Sequence, residues 1–128
     1  MSTANHYKSN LRDIEFNLFE FLDVGRTSLG QAPFETMDVD SARGALHTLE
    51  ELCCNEYGAS FADADRVGLK LDRDGNVSLP ESMSRSLKVF YENGWHLLDT
   101  PEHLGGYGAP PTVGAAAFAR LQNDPLYL

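Results

Sequence analysis

Between Asp38 and Gly58 the apolar residues Ala42, Ala45, Leu46, Leu49, Leu52 and Cys53 recur at three- and four-residue steps, a spacing that only a helix gathers onto one side. That stripe constrains the fold more than any other stretch of the chain. Asp38 or Asp40 can cap the free N–H groups at its start, and Gly58 offers a stop.

Other segments carry the same period. Asn10 precedes Leu11, Ile14, Phe16, Leu18, Phe19 and Leu22, which predicts an amphipathic helix ending near Gly25. Its face is crowded with Phe16, Phe19 and Phe21, more aromatic surface than one short helix buries alone. The helix must dock, on the rest of this domain or on a partner surface; periodicity does not choose. Arg26 to Glu35 has no sustained period and contains Gly30 and Pro33, so it reads as a flexible connection to a second unit. Ser60 can cap a further short turn through Phe61, Ala62 and Asp65 before Gly68 breaks it. Leu69 and Leu71 alternate with polar residues, Asp72 to Asn76 supplies turn chemistry, and Val77 and Leu79 resume the alternation, as in a small hairpin. Pro80 suits the first position of a third helix striped by Met83, Leu87, Phe90 and Tyr91 and stopped by Gly94. Asp99 to Pro111 holds Pro101, three glycines and Pro110-Pro111, which predicts a shaped loop. An alanine-rich helix follows over Thr112 to Gln122, stopped by Pro125. The expected fold is all-α: a small helical domain, a preceding short amphipathic helix and one short hairpin-like loop.

At 128 residues one hydrophobic core is the default. Hydrophobic residues make up 42% and charged ones 23%, an ordinary globular balance with no run that approaches a membrane span. Met1 to Asn10 lacks a basic stretch followed by an apolar one, so the expected setting is cytoplasmic. Nineteen acidic residues against ten basic ones give a net charge of −9, and no Lys/Arg cluster could neutralise a row of phosphates, which argues against nucleic acid as a partner. Cys53 and Cys54 are neighbours whose side chains diverge by about 100° on a helix, so they are read as reduced thiols, and without a C-x-x-C pattern zinc is not expected.

The chemical motifs are mostly negative. Asp72, Asp74 and Asn76 alternate as the first ligands of a calcium loop do, but Val77 stands where the glycine is required and Met83 where the bidentate glutamate is required. A solvated turn is the better account. His6, His47, His96 and His103 are scattered, with no i, i+3 or i, i+4 pairing for a metal. No serine sits in a glycine-flanked elbow, and Gly105-Gly106-Tyr107-Gly108 lacks the order of a dinucleotide turn. Glu81, Glu92 and Glu102 are read as surface carboxylates.

One segment resists so plain a reading. Gly94-Trp95 closes a helix, an apolar stretch leads to Pro101-Glu102, and Gly105-Gly106-Tyr107-Gly108 precedes the alanine-rich helix. This order is similar to the Gly-Trp … Pro-Glu … Gly-Gly-x-Gly signature in the N-terminal helical domain of acyl-CoA dehydrogenases. Asp65-Arg66-Val67-Gly68, the Asp74 to Val77 turn, Leu79-Pro80 and Tyr7 to Asn10 with the Phe-rich helix resemble the larger bacterial subgroup, which has an extra N-terminal segment. The resemblance covers essentially the whole chain. It departs where the family often has a second acid after Pro-Glu and this chain has His103.

The resemblance implies a parent enzyme that oxidises an acyl-CoA thioester to the trans-2-enoyl product: a base takes the α-proton and the N5 position of FAD accepts hydride from the β-carbon. It implies an extension over residues 1–36 and a helical unit over 37–128, ending before a flavin-binding middle domain. The catalytic base would lie outside this chain, which alone would be inactive and would bind no FAD. Trp95, Pro101, Glu102, Gly105, Gly106, Tyr107 and Gly108 would form an acyl-pocket edge or flavin-side loop, unless the prolines and glycines only turn the chain. The partners implied are the remaining domains of the enzyme and, in that context, acyl-CoA. Self-association through uncovered apolar surface is a further expectation. The alternative is a stand-alone helical interaction module, or truncated remnant, using the Phe16, Phe19, Phe21 stripe.

Overall fold

The computed structural model describes residues 7–121, so the expectations placed on His6, on a helix end at Gln122 and on a stop at Pro125 lie outside the described residues. Helix α1 (Leu11–Glu15) starts at Asn10, whose side-chain oxygen accepts from the Asp13 amide at 3.3 Å while its Nδ2 donates to Asp13 Oδ2 at 2.7 Å. The coil then widens over Phe16–Phe21, and the Leu22 amide reaches back five residues to the Asn17 carbonyl at 2.9 Å. It stops before Gly25. Asp23 takes the left-handed conformation at φ 49°, which a short polar side chain tolerates, and Gly25 lies inside the short helix α2 (Val24–Thr27).

The connection that follows is folded back on itself. Leu29 is buried, and the Gly30 amide donates towards the Met37 carbonyl at 2.9 Å and the Phe34 carbonyl at 3.2 Å. Helix α3 (Val39–Leu52) is capped by Asp38, which accepts from the Ser41 amide at 2.7 Å. Gly58 does not end it. A glycine stops a helix where the chain turns to positive φ, and Gly58 keeps φ −61°. The coil passes through a wider stretch, Cys53–Tyr57, straight into α4 (Gly58–Val67), and the stop is Gly68 at φ 66°. Ser60 is therefore interior rather than a cap; its buried hydroxyl donates to the Tyr57 carbonyl at 2.8 Å.

Strands β1 (Lys70–Leu71) and β2 (Val77–Ser78) form the expected antiparallel hairpin, with Lys70 opposite Ser78 and Leu71 opposite Val77. Helix α5 (Glu81–Glu92) begins one residue later than expected, because Pro80 stays extended at ψ 146°. Its inward face is Ser82, Ser86 and Phe90, while Tyr91 faces out. Helix α6 (Pro111–Leu121) has proline at its first position, where a missing N–H costs nothing.

One contiguous core joins these elements. Leu18, Val24, Leu29 and Met37 pack with Leu46, Leu49 and Cys53 of the long coil, with Phe90, Trp95 and Leu98, and with Val113, Ala117 and Leu121 of α6. Leu46 and Leu49 are almost wholly enclosed, each contributing about 2 kcal/mol by leaving water. The first helix thus docks on the rest of this chain through Leu18, Ile14 and Phe19, and leaves Phe16 and Phe21 exposed. The fold is all-α apart from the hairpin, and no helix among the described residues is long and apolar enough to cross a membrane.

Candidate functional site

Asn93 and Gly94 end α5, and only glycine suits the second position: φ is 73°, and a Cβ there would lie 2.7 Å from the Tyr107 hydroxyl. The first and last parts of the loop from Trp95 to Gly108 therefore touch across Gly94. A short 3-10 turn, Trp95–Leu97, sinks the indole into the core. Three backbone bonds then staple the loop's return to its outward course. The Tyr107 amide donates to Leu97 O, Gly108 to Thr100 O and Ala109 to Leu98 O, each at 2.9 Å.

Between the staples, Pro101 sets up a second 3-10 turn, Glu102–Leu104, closed by Leu104 and Gly105 amides donating to Pro101 O at 2.9 Å and Glu102 O at 2.8 Å. Gly105 turns the chain at φ 88°. At Gly106 the constraint is contact: a Cβ would fall 2.0 Å from the Thr100 carbonyl oxygen. Two further residues of this region are set by the same closeness. Gly114 of α6 would bring a Cβ to 3.0 Å from Asp99, and Gly108 at φ 66° faces Glu102 and Thr36.

Two grooves flank the loop. The larger, about 410 Å³, is lined by Pro33, Phe34, Asp99, Pro101, Glu102, His103, Gly108 and Ala109. The smaller, about 180 Å³, is lined by Met37, Ala45, Asn93, Gly94, Trp95, Leu98 and Tyr107. The residues singled out from sequence are thus divided: Pro101, Glu102 and Gly108 meet in the larger groove, Trp95 and Tyr107 in the smaller, and Gly105 and Gly106 shape the loop without lining either. Pro33, Phe34 and Met37 come from the distant connection before α3, which no local pattern could assign to this site.

The larger groove is apolar in its prolines, phenylalanine and alanine but acidic at Asp99 and Glu102, so the phosphates of a nucleotide would be repelled there. The Trp95 indole N–H is buried and has no acceptor among the described residues. Among those residues no group of three or more His, Cys, Asp or Glu side chains could hold a metal ion. His96 is engaged by aromatic rings instead, its centroid 4.9 Å from Tyr91 and 6.3 Å from Phe90.

No family model matches the chain. Among curated proteins it is 39% identical over 110 residues to the broad-specificity linear acyl-CoA dehydrogenase FadE5 of Mycobacterium tuberculosis. The match takes in 85% of this chain and 18% of that protein's length, so the chain spans about a fifth of the curated relative it resembles.

Proposed function

We propose that this chain, related by sequence to the acyl-CoA dehydrogenases, is the N-terminal helical part of such an enzyme and supplies an edge of its acyl pocket beside the flavin. The observation that carries the reading is the 39% identity sustained over 85% of the chain. In this reading residues 1–36 are an extension that precedes a helical unit of residues 37–128, and the flavin-binding part follows in a longer polypeptide. When bound there, FAD supplies the hydride acceptor. The protein's own work is alignment and exclusion of water.

Trp95, Pro101, Glu102, Gly105, Gly106, Tyr107 and Gly108 are the residues we assign to that edge. Support comes from the way the loop is fixed. Gly106 against Thr100 and the staples at Tyr107, Gly108 and Ala109 hold it to one shape, which positioning requires. Gly105 has open space where a side chain would stand, so a flat ring could approach the backbone closely there. The acidic groove fits the uncharged acyl portion of an acyl-CoA and not its phosphates.

A second reading, a stand-alone interaction module, draws on the exposed Phe16 and Phe21. The test is an absorbance spectrum with anaerobic acyl-CoA reduction, made on this chain and on the longest native reading frame that contains it. Flavin bleaching in the longer protein alone is the expected result. A native frame that ends at Leu128 and binds no flavin would overturn the dehydrogenase reading in favour of the module.

A further inference from the structure

The β1–β2 hairpin is held together at its turn and left bare on one face. Asp72 Oδ1 accepts from the Asp74 amide at 2.9 Å and the Asn76 amide at 2.8 Å, while Asp72 Oδ2 accepts from Asn76 Nδ2 at 3.0 Å. Leu71 and Val77 are cross-strand partners, and the two-residue period, continued one residue beyond each strand, assigns Leu69 and Leu79 to the same face. All four are exposed, at 71%, 57%, 62% and 38%, and Lys70 and Ser78 occupy the opposite face. An amphipathic hairpin of two strands is marginal in water unless its apolar face packs on something. None of the four belongs to the core formed by the described residues.

Size chooses between occupants. Four such side chains offer on the order of 400 Å², well short of what a stable complex of separate chains buries from each side. A patch this small holds a partner only when that partner is tethered and its effective concentration is high. We infer that the Leu69, Leu71, Val77, Leu79 face is an intramolecular docking surface, covered by an apolar surface on the remainder of a longer polypeptide. The inference rests on the functional reading above, since a matched relative about five times longer is what supplies such a remainder.

Trypsin can read the contact because Arg73 lies in the hairpin turn. Wild type, Leu71→Asp, Val77→Asp and the polar-face control Ser78→Asp are compared in the longest native reading frame. Cleavage after Arg73 is expected to accelerate about tenfold in the first two variants and to stay at the wild-type rate in the control. Equal rates in all four proteins, fast or slow, overturn the inference, because the face then confers no protection. Protection that disappears together with dissociation of a dimer in sedimentation overturns it in favour of a second copy. A frame ending at Leu128 overturns it as well. Acyl-CoA bleaching in the same preparations separates the two claims: bleaching with an unprotected hairpin ends this inference alone, and protection without bleaching ends the functional reading alone.

Discussion

The guanidinium of Arg120, fully enclosed at the end of α6, is paired with a Glu50 carboxylate of α3 that keeps 21% of its side-chain surface in solvent. Arg120 Nη2 also donates to the Ser9 hydroxyl at 2.5 Å, while its Nε and Nη1 have no partner among the described residues. Burial holds the Arg120 pKa below its usual range, against a smaller opposing pull from the negative charges of ionised Tyr7 and of Glu15. Glu50→Leu is expected to lower stability by about 3 kcal/mol, because it strands a buried cation. Adding Arg120→Met should recover most of that loss. Urea unfolding midpoints of wild type and the two variants decide it; a Glu50→Leu midpoint equal to that of wild type would show that the pair contributes no more than a surface contact.

Tyr7 donates its hydroxyl to the same Glu50 carboxylate at 3.2 Å, which ties the N-terminal segment across the helices. Its pKa is pushed up to about 12, first by burial and then by the charge of the neighbouring Cys53 thiol when ionised. The phenol is therefore harder to ionise folded than unfolded. Its contribution is complete below about pH 10 and is lost as pH rises through the folded value. Tyr7→Phe should cost about 1 kcal/mol at neutral pH through the lost hydrogen bond, and should flatten the alkaline loss of stability. Unfolding midpoints followed from neutral to strongly alkaline pH provide the check. Parallel curves for the two proteins would assign the alkaline loss to other groups.

What could be read from sequence divides along a physical line. The apolar stripe of α3, its Asp38 cap and the hairpin turn at Asp72 are local signals, and each appears where its spacing places it. Glycine is ambiguous because it permits positive φ without requiring it. Gly68 and Gly94 use that freedom and stop their helices, whereas Gly58 does not and lets α3 run on into α4. Partnership between distant residues left no local trace. Arg120 sits in an alanine-rich stripe with nothing nearby to announce a buried ion pair, and Pro33, Phe34 and Met37 reach the grooves only through the fold. The stretch from Asp99 to Pro111 was legible as a shaped loop. Its division between two grooves was not, since that depends on which way each side chain leaves a backbone stapled to itself.

The adjacent glycines of that loop should respond differently to alanine. At Gly105 there is open space and the cost is the left-handed backbone alone, about 1 to 2 kcal/mol. At Gly106 the new Cβ would meet the Thr100 carbonyl, so the backbone itself must move and the cost should exceed that of Gly105→Ala, reaching about 3 kcal/mol. Amide hydrogen exchange at Tyr107 and Gly108, which donate the stapling bonds, should accelerate far more in Gly106→Ala. Similar exchange in both variants would mean that the staples do not depend on the close approach at Gly106.

A third glycine should respond in the opposite direction. Gly44 lies in the middle of α3 on its exposed side, and a Cβ built there meets nothing within 4 Å. Its backbone is helical, so alanine fits the folded state while restricting the unfolded one. Gly44→Ala is expected to add about 0.5 to 1 kcal/mol of stability and to raise Tm by about 4 °C. Gly25→Ala is the contrasting case, because there the added carbon would stand 2.8 Å from Val39 Cγ2 and the valine would have to yield. Thermal unfolding of both variants tests the argument. A Gly44→Ala protein no more stable than wild type would show that this turn of α3 is not free to accept a side chain.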